Sequence, residues 1–500
     1  MNMQTIRSCC RTVIYFFAIS LILMGCGGND NNKEISGGFV WVAFPEELSV
    51  IRGDQARFVL NISSISGIPL PKTASFSISG LPAGAEGFFL ADKFYLPANV
   101  FLYINTTTDT PIGSFPITIS SSQTTEELSI TLIVKPMQWE QANVNASDSQ
   151  PPGLSSHSAV YDEGADQMII FGGVVPGGLS ADLWSLRDVT GTTPVWDQVS
   201  AGGSSLPAAR TGHKAVYDPD GKRMIIWGGV GQDQDFIVDR LWVLTNADGS
   251  GGTPTWVQLS EGAGQSPSSR FGFSMVYDPG SNRAIVFGGA ETDGDTTTLL
   301  NDVWVLTNAN GLGGDPVWVN ITPVSGSIPN PRMMHSAVYD NMNNRMIVFG
   351  GSTDSEPLND VWVLTHANGL DENGQDTPPS WQPLSVSGDL PAARQGHTAV
   401  FNPSTNRMTI FGVVDDQGGL LDDLWVIEKA NGIEGPNTWS SNIIFHSSKV
   451  SYPDARANHT AVINVENDTM AVFGGLLKDT SSNETSSNEA WLLRHASCEE

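Results

Sequence analysis

Short apolar runs separated by polar, glycine-rich turns fill the second part of the chain and predict β-strands. One run that ends in a glycine pair recurs as MIIFGG (168–173), MIIWGG (224–229), AIVFGG (284–289), MIVFGG (346–351), MTIFGV (408–413) and MAVFGG (470–475). Successive copies begin 56, 60, 62, 62 and 62 residues apart. A repeat of this length indicates that this part of the chain is one array of similar units.

Each unit holds four predicted strands. An apolar strand precedes the glycine-pair strand, as in PAARTGHKAVYD (207–218), and a variable loop follows it. The third strands carry Trp184, Trp242, Trp304, Trp362, Trp425 and Trp491. The fourth strands carry Trp139, Trp196, Trp256, Trp318, Trp381 and Trp439. Four short strands joined by Gly, Asn and Asp turns are typical of an antiparallel meander.

The two ends of the array complement each other. The last unit ends at WLLRHASCEE without a fourth strand, whereas MQWEQANV (137–144) precedes the first unit without a sheet of its own. If segment 137–144 completes the last sheet, six blades close into a β-propeller over residues 137–497 and leave no exposed edge strand. The predicted fold class is therefore all-β.

The glycine pair, the tryptophan after the loop and the second tryptophan on the last strand resemble Kelch repeats, in the long bacterial form similar to the galactose oxidase central domain. Two positions depart from the pattern. Val413 replaces the second glycine in the fifth unit, and Phe273 replaces a histidine that recurs in the other five.

The N-terminus predicts export. Arg7 and Arg11 precede an apolar run that is too short to span a bilayer, so residues 1–25 are interpreted as a signal peptide. The residues LMGC (23–26) resemble a bacterial lipobox, which implies a lipid on Cys26 and a flexible tether over residues 26–38; a plain signal peptide is the alternative. The resemblance implies a cell-envelope protein, at the outer membrane if the cell is Gram-negative, with the leaflet left open.

Residues 39–136 lack the repeat. Apolar and polar residues alternate in FVLNISSI (58–65), FPITIS (115–120) and LSITLIV (128–134), with frequent turns between them. This pattern predicts a small β-sandwich. The segments GLPAGAEGFF and TPIGSFPITISSS are similar to bacterial Ig-like domains, for which we expect a spacer role.

Charge and cysteine content narrow the function classes. The chain has 53 acidic and 25 basic residues and a net charge of −28, which disfavours binding to nucleic acid. Galactose-oxidase-like copper chemistry needs a Cys-Tyr crosslink, but the propeller contains no cysteine before Cys498. The histidines that recur at one position in five of the six repeats predict a structural role, and no metal-ligand spacing is apparent. We expect no cofactor.

The loops between the second and third strands differ in every unit, as VVPGGLSA (174–181) and AETDGDTTTLLN (290–301) illustrate. Variation on one face of an otherwise repeated ring predicts recognition there. The segments leading into the same face carry Arg210, Arg270, Arg332, Arg394 and Arg456. These arginines are candidates for binding carboxylates; the alternative is a structural role in which each pairs with a carbonyl or an Asp of a neighbouring blade. Glu291, Asp293 and Asp295 form a weak calcium candidate, with a solvated acidic loop as the alternative.

These patterns predict a non-enzymatic, envelope-anchored binding protein whose propeller face recognises a protein or a glycan. A carbohydrate-active enzyme similar to sugar oxidases or epimerases, with no recognisable catalytic motif, is the competing hypothesis, and an assembly factor is a third. The sequence leaves open the ligand, its class, the membrane orientation and the oligomeric state.

Overall fold

The computed structural model divides the chain into two compact units, Met1–Lys135 with Glu499–Glu500, and Pro136–Cys498. The structure describes residues 39–51, 55–64, 71–107, 110–135, 138–142, 149–191, 193–232, 241–262, 264–293, 296–388, 390–414, 418–433, 437–441, 452–478 and 483–494. Within these ranges the regular structure is β-strand, and no helix occurs. No helix there is long and apolar enough to cross a membrane.

The first unit contains two four-stranded sheets. The first sheet has the order Phe39–Phe44, Gln55–Ser64, Ala98–Asn105 and Glu86–Phe89. The second has the order Glu47–Ile51, Thr124–Lys135, Gly113–Ser121 and Phe76–Ser79. Its first pair of strands is parallel, and the remaining ladders of both sheets are antiparallel. A short pair, Thr73–Ala74 with Phe94–Tyr95, lies beside them.

The core of this unit is apolar and comes from both sheets. Phe58 and Leu60 of the first sheet are fully buried together with Ile119 and Leu132 of the second. The strand Thr124–Lys135 shows the cause, since its buried and exposed positions alternate as the period of two in the sequence requires. The unit is therefore a β-sandwich.

The second unit consists of six sheets, which we call blades 1 to 6 in chain order. Blade 1 is formed by Ser158–Asp162, Gln167–Phe171, Leu183–Arg187 and Val195–Gln198. Blade 2 is formed by Lys214–Asp218, Arg223–Trp227, Leu241–Thr245 and Thr255–Leu259. Blade 3 is formed by Ser274–Asp278, Arg283–Asp293, Thr296–Thr307 and Val317–Asn320. Blade 4 is formed by Ser336–Asp340, Arg345–Phe349, Val361–Thr365 and Ser380–Pro383. Blade 5 is formed by Thr398–Asn402, Arg407–Val414, Leu420–Glu428 and Asn437–Ser441. Blade 6 is formed by Thr460–Asn464, Thr469–Phe473, Ala490–Arg494 and Gln138–Gln141.

Three short elements supplement the blades. Val386–Ser387 pairs in parallel with the fourth strand of blade 5. Val174–Val175 pairs with Gly178–Leu179 in the loop of blade 1, and Leu476–Lys478 pairs with Glu484–Ser486 in the loop of blade 6.

The blades form a closed ring. The strand Gln138–Gln141 pairs antiparallel with Ala490–Arg494, so one end of the unit supplies the outer strand of the other end's sheet. The first strand of every blade contacts the first strand of the next blade, and that of blade 6 contacts that of blade 1. Strands of all six blades therefore surround a central channel.

Aromatic residues pack each blade onto the one before it. The fourth-strand tryptophan of one blade lies against the aromatic residue that directly precedes the glycine pair position in the second-strand segment of the preceding blade, with ring centroids 4.7–5.2 Å apart. The pairs are Trp139–Phe411, Trp196–Phe473, Trp256–Phe171, Trp318–Trp227, Trp381–Phe287 and Trp439–Phe349. This explains why a fourth-strand tryptophan recurs once per blade.

The glycine pair serves the same junction. Gly173 has φ +97°, and a Cβ on it would lie 2.8 Å from the carbonyl oxygen of Ser155. Its N–H donates to the carbonyl oxygen of Arg210 in the next blade at 2.8 Å, and equivalent bonds join every neighbouring pair of blades. In blade 5 the donor is the N–H of Val413, which lies in an extended, fully buried strand, so this departure preserves the bond.

Candidate functional site

The five arginines proposed for ligand binding lie in the interior. Their exposure is 1% or less, and each Nε donates to the carbonyl of the residue two positions earlier. Each Nη1 donates to the carbonyl of the first glycine of the pair in the same blade, as Arg332 does to Gly350 at 3.0 Å. The residues are Arg210, Arg270, Arg332, Arg394 and Arg456. Their donors are thus directed into the blade, which supports the structural alternative.

Within the described residues, four of these arginines also pair with a carboxylate. Asp302, Asp360, Asp423 and Glu489 accept from Arg270, Arg332, Arg394 and Arg456 at 2.7–3.0 Å. Burial alone raises the pKa of Asp360, but the hydrogen bonds and charge of Arg332 outweigh it and hold the pKa below its usual value. Each carboxylate precedes a third-strand tryptophan of the same blade by two residues, so the expectation of a neighbouring blade's Asp is corrected to the arginine's own blade.

The recurrent histidines form a second ring, nearer the channel. Each Nε2 is 2.7–2.8 Å from a Ser or Thr hydroxyl of the preceding blade. The pairs are His157–Thr460, His213–Ser158, His335–Ser274, His397–Ser336 and His459–Thr398. Burial lowers the pKa of His157 to about 3 and holds the pKa values of the other four well below 6.5. These imidazoles are neutral at physiological pH, and their placement between blades fits the predicted structural role.

One link of this ring is replaced. Between blades 2 and 3 the histidine position holds Phe273, and the hydroxyl position holds Lys214. Phe273 keeps the packing role, since its ring lies 5.1 Å from that of Trp227 in an edge-on contact like those of the histidines. The polar contact is absent at this junction.

The residues directly before the histidine positions form a ring of backbone hydrogen bonds. One residue per blade adopts a left-handed conformation, with φ between +53° and +69°: Ser156, Gly212, Gly272, Met334, Gly396 and Asn458. The N–H of one donates to the carbonyl of the preceding one, as Asn458 does to Gly396 at 2.8 Å. No such bond joins Gly272 to Gly212, so this ring is interrupted at the junction that lacks the histidine contact.

The channel inside these rings has a volume of about 360 Å³. Its wall includes the histidines, the Ser and Thr hydroxyls and, one position further along each first strand, Ala159, Ala215, Met275, Ala337, Ala399 and Ala461. The Lys214 side chain also lines it.

The described residues of the variable loops lie at the end of the blades where the arginine segments enter. In blade 3 the second and third strands extend into the loop, with Glu291 opposite Thr298 and Asp293 opposite Thr296. The loops of blades 1 and 2 touch, because Gln232 Oε1 accepts from the N–H of Leu179 at 3.1 Å. We call the surface that the described loop residues form at this end of the blades the loop face.

Exposed apolar side chains occupy one repeated position on the segments that lead into the loop face. Leu206, Ile328, Leu390 and Tyr452 each lie four residues before an arginine and are 59%, 47%, 52% and 36% exposed. A Ser and a Gln occupy this position in blades 3 and 1. Sequence analysis missed these residues, although their fixed distance from the arginines is visible in the printed sequence.

The calcium candidate and the remaining sequence predictions are only partly covered. Glu291 and Asp293 lie on the blade 3 hairpin, whereas Asp295 is outside the described residues. No group of three His, Cys, Asp or Glu side chains suited to a metal occurs in the described part of the chain. The predicted lipid site, Cys26, and the tail cysteine, Cys498, also lie outside it.

The geometry defines the class of protein: a six-bladed, Kelch-type β-propeller that follows a β-sandwich, as the sequence predicts. Comparison with known families agrees. Residues 119–356 match the model of the Attractin/LZTR1 β-propeller, and residues 316–431 match that of the KLHDC2/KLHL20/DRC7 Kelch-repeats domain. The predicted fold class and the Kelch resemblance are confirmed. The likenesses to Ig domains and to galactose oxidase stay predictions.

Curated relatives show the same repeats at low identity. The chain is 26% identical to Adagio-like protein 1 of Oryza sativa subsp. japonica over 57% of its own length and 42% of that protein's. It is 25% identical to an F-box/kelch-repeat protein of Arabidopsis thaliana over 66% of this chain and 68% of that protein. It is 29% identical to Host cell factor 2 of Homo sapiens, with 59% of this chain and 34% of that protein covered. The chain therefore spans less than half the length of the first and last of these relatives.

Proposed function

We propose that this protein is a non-enzymatic binding protein whose loop face recognises another protein, and that a lipid on Cys26 holds it at a bacterial envelope. The observation that carries the binding proposal is the contrast between the loop face and the rest of the propeller. Arginines, histidines and tryptophans repeat because the blades need them, whereas the loops differ from blade to blade. Residues released from the requirements of the fold are available for recognition.

The exposed residues favour a protein over a glycan. Exposed apolar side chains on a rigid surface favour protein contacts, since burying them against a partner removes apolar area from water. A sugar ring is usually held against an aromatic face. Among the described propeller residues, Tyr452 is the only large exposed aromatic side chain. The matches to Kelch-repeat proteins favour a protein partner as well.

The test is a four-site variant, L206S/I328S/L390S/Y452S, compared with the unchanged chain by cross-linking on intact cells and mass spectrometry of the cross-linked species. We expect the variant to lose its cross-linked protein partner and to keep its melting temperature, because the four side chains are exposed in the folded state. A partner that cross-links equally to both proteins contradicts the proposal.

The matched control carries L312S, M342S and I433S. These side chains are 45%, 77% and 49% exposed and lie in turns at the other end of the blades. The control should retain the partner. If instead no protein cross-links, and a sugar in a thermal-shift screen stabilises the chain, a glycan replaces the protein. At 100 times its dissociation constant a ligand adds about 2.7 kcal/mol to the stability.

The anchor is tested separately. We expect Cys26→Ser to abolish labelling by a palmitate analogue and to release the protein from the membrane fraction. Unchanged labelling of this variant would leave the binding proposal standing and remove the lipid at Cys26.

A further inference from the structure

The central channel contains a cation without a partner. The buried arginines donate to carbonyls, and four of them pair with described carboxylates, whereas the side chain of Lys214 forms no hydrogen bond or ion pair with any described residue. Lys214 occupies the position that holds the Ser or Thr hydroxyl in the other blades, and Phe273 occupies the neighbouring histidine position. The substitution leaves a donor group in the channel that the ring of blades does not use.

The described residues of the channel wall offer this cation no negative charge. Among the described lining residues, Lys214 is the one Lys, Arg, Asp or Glu, and the histidines there are neutral. The positive charge of Lys214 acts across the channel. It lowers the pKa values of His335 in blade 4 and His397 in blade 5, as well as that of the adjacent His213. An ammonium group partly removed from water and left unpaired is unfavourable, and an anion in the channel would relieve it.

The shape and chemistry of the wall restrict the anion. One ammonium group balances one negative charge, so a monoanion leaves no excess charge in the channel, whereas a dianion does. The hydroxyls of Ser158, Ser274 and Ser336, each in contact with a histidine of the next blade, lie in the same layer as Lys214 and make that layer polar. The next layer is formed by five alanines and Met275, which can contact an apolar group. A volume of about 360 Å³ accommodates a small molecule.

We propose that the channel of this propeller is a binding site for a small aliphatic monocarboxylate, with the carboxylate on the Lys214 ammonium and the hydrocarbon against the alanine layer. The site uses none of the residues of the loop face. It is therefore independent of the proposed protein partner, and a failure of either proposal leaves the other intact.

The test is isothermal titration calorimetry of the full chain at pH 7.5 and constant ionic strength with acetate, butyrate, hexanoate and inorganic phosphate. We expect a monocarboxylate to bind at one site per chain. Lys214→Met and Lys214→Gln should weaken that binding at least about tenfold, because a hydrogen bond to a charged group contributes about 1.5–3 kcal/mol. Lys214→Arg should retain most of it.

Lys93→Met is the matched control, since Lys93 is exposed in the sandwich and its removal changes the net charge equally. It should bind like the unchanged chain. Neutral variants at Lys214 should melt no lower than the unchanged chain, since they remove an unpaired cation. Three outcomes overturn the proposal: no monocarboxylate binds, binding is equal in Lys214→Met, or phosphate binds and the monocarboxylates do not.

Discussion

The sandwich and the propeller are both all-β, but they are stabilised by different interiors. Sandwich residues such as Phe58 and Ile119 form one apolar core, and the buried polar side chains described there are Thr106 and Thr110. The propeller buries five arginines and five histidines as well as its apolar layers. A sandwich needs one complementary pair of faces, whereas a ring needs the same junction at every blade.

The difference teaches how polar groups act in a repeated fold. An apolar face can slide against another apolar face, but a guanidinium whose N–H groups donate to particular carbonyls and to a carboxylate accepts one geometry. We infer that the buried polar rings set the angle and register between strands and blades, while the tryptophan contacts contribute the apolar burial.

Acidification should produce the largest difference in stability between the sandwich and the propeller. The five histidines have pKa values below 6.5 in the folded state, so unfolding takes up protons once the pH falls below 6.5. The contribution of the histidines to the stability of the propeller is therefore fully present above pH 6.5 and is lost as the pH falls below this value. The folding equilibrium constant falls about tenfold per pH unit for each histidine that protonates on unfolding. Calorimetry between pH 7.5 and 5 should show the propeller transition falling steeply.

The sandwich is the internal control for that experiment, because residues 39–136 contain no histidine. Its transition should move little over the same range. Parallel loss of both transitions would mean that the buried histidines do not set the acid sensitivity.

Breaking one arginine junction should have the next largest effect. We expect Arg332→Met to destabilise the propeller by about 3 kcal/mol, because it removes the donors that Arg332 directs to the Gly350 carbonyl and to the Asp360 carboxylate. Denaturant unfolding followed by tryptophan fluorescence measures this. The control, Arg57→Met, removes an exposed sandwich arginine 5.5 Å from the Phe101 ring and should cost less than about 1 kcal/mol. Equal costs would contradict a special role for the buried ring.

Repairing the interrupted histidine ring should have the smallest effect. The double variant K214S/F273H recreates the histidine–hydroxyl pair found at the other junctions, and we expect a gain of about 1 kcal/mol in propeller stability. Thermal unfolding of the double variant and of the two single variants measures the coupling. If Phe273→His alone is as stable as the pair, the hydroxyl contributes nothing to the junction.

Much of the fold is readable in the sequence because the repeat reports it directly. Six glycine-pair strands, two sets of tryptophans and one unpaired strand at each end predict a closed ring, and local periodicity predicts the sandwich. The candidate site could be predicted from the sequence less well than the fold. Arg332 is the same residue type whether it binds a ligand or a carbonyl 18 residues away, and only the packed blade shows the second.

The two kinds of information meet at Lys214. The sequence by itself determined the number and order of strands in each blade, the blade repeat and the position at which Phe273 breaks the pattern. Only the tertiary structure decided that Lys214 faces histidines from blades 4 and 5 across a channel whose described lining residues include no carboxylate. The physical reason is that strand period and turn type act between near neighbours in the chain, whereas the surroundings of a charge depend on segments brought together by ring closure.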